Sequence, residues 1–123
     1  MLVEDEPALR VALTTRLEAN GYTVVTAADG QAAINLVRKS LPDLILLDIM
    51  LPKLDGYKVC RMLKFDEKYS HIPIIMTSAR AEEKDIATAA ECKADAYYVK
   101  PVDSAALLRK IEELLEKEPA QVP

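Results

Sequence analysis

The sequence predicts a doubly wound α/β domain: a five-stranded parallel sheet with five helices on its two faces. Three observations carry that reading. Short apolar runs without alternation, Leu44-Ile45-Leu46-Leu47 and Ile72 to Met76, suit strands covered on both faces. Segments of helical spacing separate the apolar runs in strict alternation. The chain has 123 residues, enough for one domain that buries about two-thirds of the surface its unfolded form exposes.

The elements follow in order. Leu2-Val3 opens a first strand, which Glu4-Asp5-Glu6 and Pro7 close. Proline suits the first position of a helix, where its missing N–H would be unpaired anyway, and acids beside it suit the positive end of the helix dipole. The helix runs from Pro7 to Asn20 with Leu9, Leu13 and Leu17 as its buried stripe, and Gly21 stops it. Tyr22 to Thr26, β-branched and aromatic, reads as the second strand. Asp29 caps a helix over Gly30 to Ser40 that turns Ala33, Ile34 and Val37 inward, and Pro42-Asp43 breaks it.

The third strand, Leu44 to Leu47, ends on Asp48. A loop with Pro52 and Gly56 leads to a helix over Tyr57 to Phe65. The fourth strand, Ile72 to Met76, ends at Thr77-Ser78, and a helix over Glu82 to Cys92 carries Ile86, Ala87 and Ala90. Ala96 to Val99 is the last strand and ends at Lys100-Pro101. Asp103 or Ser104 caps a final helix to Lys117, with Leu107, Leu108, Ile111, Leu114 and Leu115 on one side. The domain is assigned to residues 1–118, and residues 119–123 form a Pro-containing tail or the start of a linker.

Composition narrows the function. Net charge is −4, with no Trp and one Phe, so neither a basic nucleic-acid footprint nor an aromatic stacking platform is expected of these residues. No apolar run approaches the roughly 20 residues of a membrane helix, and nothing reads as a signal peptide, so the expected location is cytoplasmic. Cys60 and Cys92 are too few for a disulfide scaffold and read as small buried hydrophobes. Met62 and Met76 read as core, Tyr98 as a packing or surface residue, and His71 as a loop residue.

In an open α/β sheet, ligands sit outside the carboxyl ends of the strands. Glu4, Asp5, Asp48, Ser78 and Lys100 all follow strands and should therefore converge. Taken singly, each has a plainer role: dipole decoration, turn, cap or solvated charge. A solvated face does not explain their convergence. Clustered carboxylates repel one another, and one is expected to keep its proton unless a hard cation such as Mg²⁺ joins them. A lysine and a hydroxyl around one carboxylate could then take the oxygens of a phosphoryl group.

The segments LVEDEP, LILLDIMLPKLDGY, IPIIMTSA and AYYVKP, in this order, resemble the receiver domain of bacterial two-component response regulators over about Leu2 to Leu115. The resemblance implies a flavodoxin-like, chemotaxis-regulator-type sheet in the order 2-1-3-4-5. It implies Asp48 as the phosphoacceptor for a histidine kinase or phosphotransfer protein. It implies Mg²⁺ held by Glu4, Asp5, Asp48 and the backbone carbonyl of Met50. Ser78, followed by the small Ala79, would bond one phosphoryl oxygen and Lys100 another, and Lys100-Pro101 would be cis. Tyr97 would be the aromatic that swings inward when Ser78 moves. Phosphorylation would shift the face of the fourth helix, fifth strand and fifth helix, which a downstream protein or output domain reads. The protein would be a signalling domain, not an enzyme, beyond gaining and losing its own phosphoryl group.

Some positions depart from the pattern. The first strand is short, which suggests residues upstream of Met1. Lys93 stands where the family often has Gly, so either the left-handed cap comes at some cost or the turn there differs. Met50 and Arg80 occupy positions that tune phosphate lifetime in the family. The charges Lys84, Asp85, Glu91, Lys93, Asp95, Arg109 and Lys110 either stay solvated or pair across a homodimer axis. Three other readings compete. A pseudo-receiver that only binds is disfavoured by Asp48, Asp5 and Lys100. A flavodoxin-like cofactor binder would need a Gly/Ser/Thr-rich loop where Glu4-Asp5-Glu6-Pro7 stands. An aspartyl phosphatase would look for a second acid where Met50 stands.

Overall fold

The computed structural model describes residues 1–79 and 82–117. Arg80 and the tail over residues 119–123 lie outside them. The chain runs β1 (Leu2–Val3), α1 (Pro7–Ala19), β2 (Thr26–Ala27), α2 (Gly30–Ser40), β3 (Ile45–Asp48), α3 (Gly56–Lys64), β4 (Ile74–Ser78), α4 (Glu83–Glu91), β5 (Ala96–Val99) and α5 (Ser104–Lys117). All four strand pairings are parallel, and the order is β2-β1-β3-β4-β5. This is the doubly wound, flavodoxin-like architecture that the alternating pattern predicts. Among the described residues, no helix is long and apolar enough to cross a membrane.

The unbroken apolar runs are explained by two cores. Val3, Ile45, Leu47, Ile74 and Met76 pack with α2, α3 and α4 on one face. Leu2, Leu46 and Ile75 pack with Leu17 of α1 and Leu107, Ile111 and Leu114 of α5 on the other. Successive strand side chains point to opposite faces, so a strand covered on both must be apolar at every position.

The ends of the helices follow local chemistry. Asp29 caps α2 by accepting from the Ala32 amide at 2.8 Å, and Asp55 caps α3 by accepting from the Lys58 amide at 3.0 Å. After α1, Gly21 takes φ 90°, and the Tyr22 amide returns to the Leu17 carbonyl.

Four expectations need correction. The second strand is Thr26–Ala27, not Tyr22 to Thr26, because β1 offers only two residues to pair with. Tyr22 and Val24 instead pack against the α1–α5 core outside the ladder. The fourth strand starts at Ile74, after Pro73, which has no N–H to donate.

The other two concern side chains. Ile86, Ala87 and Ala90 of α4 are exposed, and the helix buries Asp85 and Ala89, with Cys92 buried just beyond its end. Met62 is exposed, while Met76 is core. The turn at Lys93 takes the costlier of the two expected forms, the left-handed one, with φ 65° and the Ala94 amide returning to Ala89. A non-glycine residue there costs about 1–2 kcal/mol. The Lys93 ammonium lies 4.6 Å from the Phe65 ring centroid.

Candidate functional site

The carboxyl ends of β1, β3, β4 and β5 bring together the residues that the strand-end reading gathers. Glu4 follows β1, and its amide bonds the Ala27 carbonyl of β2 at 3.0 Å. Asp48 closes β3 and lies opposite Thr77 in the ladder. Both carboxylates are buried, at 2% and 4% exposure, while Asp5 stays open to solvent. Glu4, Asp5 and Asp48 each offer a carboxylate oxygen within 4.8 Å of the other two.

Lys100 reaches into this cluster. Its Nζ donates to Glu4 Oε1 at 2.9 Å and lies 3.3 Å from Asp48 Oδ2. The Lys100 amide donates to the Ser78 carbonyl at 2.7 Å, so lysine and hydroxyl residue share a main-chain link. The Lys100-Pro101 peptide is cis, as the resemblance implies. Ser78 is fully buried at the end of β4. Met50 is half exposed, and its amide donates to Asp48 Oδ1 at 3.2 Å. Arg10 of α1 donates to the Glu4 carbonyl at 2.8 Å and anchors the β1–α1 corner.

The β3–α3 loop closes tightly over the phosphoryl-acceptor candidate. A methyl group at Gly56 would sit 2.6 Å from both the Asp48 carbonyl oxygen and Ile49 Cα. Only glycine permits that approach. A methyl group at Gly30 would likewise collide with the Leu54 carbonyl, which ties the start of α2 to the same loop.

Electrostatics at the site are unbalanced. Burial, then the Glu4 charge, push the Asp48 carboxyl up from 3.8 to about 6, against the pull of Lys100 and the Met50 amide. Burial alone would lower Lys100, but its hydrogen bond to Glu4 and the charges of Asp48 and Glu4 raise it overall. The donor set Glu4, Asp5 and Asp48 is all oxygen, crowded and open at Asp5. Such a set fits a hard divalent cation such as Mg²⁺. It is the only group of potential metal ligands of this kind among the described residues; His71 lies exposed in a turn, away from it.

Tyr97 of β5 is half-buried against the α2–α4 core, opposite Met76. Two neighbours depart from the sequence reading: Tyr57 was not singled out, and Asp85, expected as a solvated or dimer-pairing charge, is buried at 5% exposure. Tyr57, in the first turn of α3, donates from its hydroxyl to Asp85 of α4, at 3.2 Å to the carbonyl and 3.4 Å to Oδ1. The spacing Asp85, Ala89, Cys92 was the available signal, because i, i+4, i+7 is one helical face. Tyr98 packs on the opposite core, and Cys60 and Cys92 are buried thiols.

Residues 1–112 match the family model of the response regulator receiver domain. The chain is 44% identical over 117 residues to a probable transcriptional regulator ycf27 of Guillardia theta, covering 95% of this chain and 45% of that protein. It therefore spans about half the length of the curated relatives it matches. The signal receiver domain of a signal transduction histidine kinase from Syntrophus aciditrophicus superposes with a TM-score of 0.90 at 32% identity, covering 95% and 89% of the two chains. A CheY-like receiver domain protein from Methanospirillum hungatei gives 0.90 at 28% identity, covering 98% and 94%. With its sheet order pointing the same way, the chain belongs to the receiver domain family of two-component response regulators.

Proposed function

We propose that residues 1–118 are a phosphoacceptor receiver whose Asp48 takes a phosphoryl group from a histidine kinase or phosphotransfer protein. The observation that supports this most directly is the convergence of Glu4, Asp5, Asp48 and Lys100 at one sheet edge, with two of the acids buried. An Asp48 carboxylate oxygen attacks phosphorus as the phosphorus–nitrogen bond of the donor phosphohistidine breaks. The electron pair returns to the imidazole, which takes a proton from solvent.

Glu4, Asp5 and Asp48, with the Met50 carbonyl, would hold Mg²⁺. Bound there, the ion supplies neutralisation of the phosphoryl oxygens. Lys100 exchanges part of its pairing with Glu4 and Asp48 for a phosphoryl oxygen, and the Ser78 hydroxyl donates to another. These contacts are better in one loop arrangement than in another, so they shift the equilibrium of the α4–β5–α5 face, with Tyr97 moving inward. Ile86 and Val99 are exposed on that face.

The reading is of a cytoplasmic signalling domain without turnover on a free substrate. Relatives about twice as long are described as transcriptional regulators, so an output domain is assigned outside these residues. The exclusion of nucleic acid by charge applies to this chain alone, and residues 119–123 are read as a tail or the start of a linker.

Incubation with acetyl phosphate and Mg²⁺, followed by intact-mass measurement, tests the reading. Wild type gains one phosphoryl mass, and Asp48→Asn gains none. A wild-type chain that gains nothing, and whose NMR spectrum is unmoved by beryllofluoride, is a pseudo-receiver.

A further inference from the structure

Glu4 and Asp5 share the short turn Glu4-Asp5-Glu6 between β1 and α1, but they are held differently. Glu4 is fixed on several sides. Its amide donates to the Ala27 carbonyl at 3.0 Å, its Oε1 accepts from Lys100 Nζ at 2.9 Å, and its Oε2 accepts from the Glu6 amide at 3.2 Å. Asp5 is exposed, and among the described residues no hydrogen bond holds its carboxylate. The backbone of the turn therefore places it. One residue of α1 grips that backbone at both ends. Arg10 donates from its guanidinium to the Glu4 carbonyl at 2.8 Å and from its amide to the Glu6 carbonyl at 2.9 Å. The amide bond is the ordinary i to i−4 bond that any residue in this place would make. The guanidinium bond reaches back six residues, and only a long side chain with a donor at its tip can make it. The two accepting carbonyls flank Asp5.

We propose that Arg10 is a positioning residue for the cation site: by gripping the turn it fixes the Asp5 carboxylate beside Glu4 and Asp48, and so tips the site toward a small divalent cation such as Mg²⁺ and away from a larger one such as Ca²⁺. The inference rests on the receiver reading given above. Mg²⁺ demands near-ideal octahedral oxygen geometry, whereas Ca²⁺ accepts looser and more varied sets. Carboxylates enforce that difference only when their spacing is fixed. Glu4 and Asp48 are fixed by burial and by Lys100, so the spacing depends on Asp5 and hence on the turn. The positive charge of Arg10 acts in the other direction: a cation beside the site disfavours both divalent ions alike. Removing the side chain therefore separates the two effects. Loss of the grip weakens Mg²⁺ more than Ca²⁺, while loss of the charge alone tightens both together.

The test titrates the full chain with Mg²⁺ alone and with Ca²⁺ alone, read by the amide NMR shifts of Asp5, Asp48 and Met50. Arg10→Met keeps an apolar stem and removes both donor and charge. Its Mg²⁺ affinity falls about tenfold and its Ca²⁺ affinity by less than about threefold, so the ratio of the two shifts toward Ca²⁺. If Arg10→Met does not fold, Arg10→Gln, which is shorter and uncharged, decides in its place. An unchanged ratio overturns the proposal even where the variant is less stable, because a merely structural role leaves the preference of the folded chain alone. Tighter binding of both ions overturns it too, since Arg10 would then act by charge only. A wild-type chain that binds neither ion at these residues overturns the metal site of the receiver reading and the proposal with it. Wild-type binding matched by Arg10→Met for both ions overturns only the role of Arg10.

Discussion

At the amino edge of the sheet, Lys64 places its Nζ 2.8 Å from Asp95 Oδ2, 2.8 Å from the Ile72 carbonyl and 3.3 Å from the Ser70 carbonyl. All three ammonium donors are used, and Asp95 Oδ2 also accepts from the Ile74 amide at 2.8 Å. At the carboxyl edge, Lys100 faces two buried acids, Glu4 and Asp48, and one of them is pushed toward its neutral form. Each edge sets a lysine beside carboxylate: Asp95 at the first, Glu4 and Asp48 at the second. One is saturated with hydrogen bonds and has one acid per lysine; the other has an excess of negative charge. Saturation fastens α3 to β4 and β5. Excess charge leaves a site that another cation and an anion can complete. The position of a charged cluster thus says less about its role than its balance does.

The largest expected effect lies at the saturated edge. Lys64→Met keeps the stem and removes the ammonium, which leaves two carbonyls and a carboxylate short of a donor. Asp95 is one-third exposed, so water recovers part of the loss. Urea unfolding is expected to show a loss of about 2–4 kcal/mol. A loss below about 0.5 kcal/mol would put the pair among ordinary surface bridges and break the contrast between the edges.

The opposite sign is expected at the other edge. Asp48 is held at about 6 in the folded chain, against 3.8 for an ordinary aspartate. Between these values the folded chain binds the proton more tightly. The group therefore favours folding fully below about pH 3.8, and that contribution is lost as pH rises through about 6. Above it, the buried carboxylate costs about 1–3 kcal/mol. Asp48→Asn in chelator should therefore be more stable than wild type by that amount at about pH 7.5, and the gap should close near pH 4. Saturating Mg²⁺ should narrow it at the higher pH by binding wild type better. An Asn variant that is no more stable, or a gap that persists at low pH, would show that the carboxylates are not in conflict.

The two edges were not equally legible in the sequence. Glu4, Asp5, Asp48, Ser78 and Lys100 were readable because a parallel sheet delivers every strand end to one side. The unbroken runs of β3 and β4 declared burial on both faces. The Lys64–Asp95 clamp left no such trace: its partners are main-chain carbonyls and a residue 31 positions away, and single charges on a helix and a turn read as solvated. In α4, alanines on several sides blurred the hydrophobic stripe, and Ile86 drew the inward face toward itself although Asp85 is the buried neighbour. Asp85 shares a helical face with Ala89 and Cys92, but that Tyr57 meets it there depends on tertiary placement, which helical periodicity does not encode.

The smallest effect tests how far the edges are insulated from each other. Cys60 and Cys92 lie close together beside the clamp: the Cys60 thiol donates to the Cys92 carbonyl at 3.4 Å, and Lys64, Asp95 and Arg61 all act on it. Burial, then Cys92, push the Cys60 thiol up to about 12, and both cysteines are fully buried. A thiol is alkylated as its thiolate, so reaction in the native chain must wait for opening of α3 from the sheet. If phosphorylation reorganises only the α4–β5–α5 face, Mg²⁺ and beryllofluoride should change the alkylation rate of Cys60 by less than about twofold under conditions where opening is local. Lys64→Met should accelerate it more than tenfold, because about 2 kcal/mol lost from the clamp is about a 30-fold gain in opening. A large protection by beryllofluoride would mean that the saturated edge also responds to the site, and that α3, tied to α4 through Tyr57 and Asp85, carries the response across the sheet.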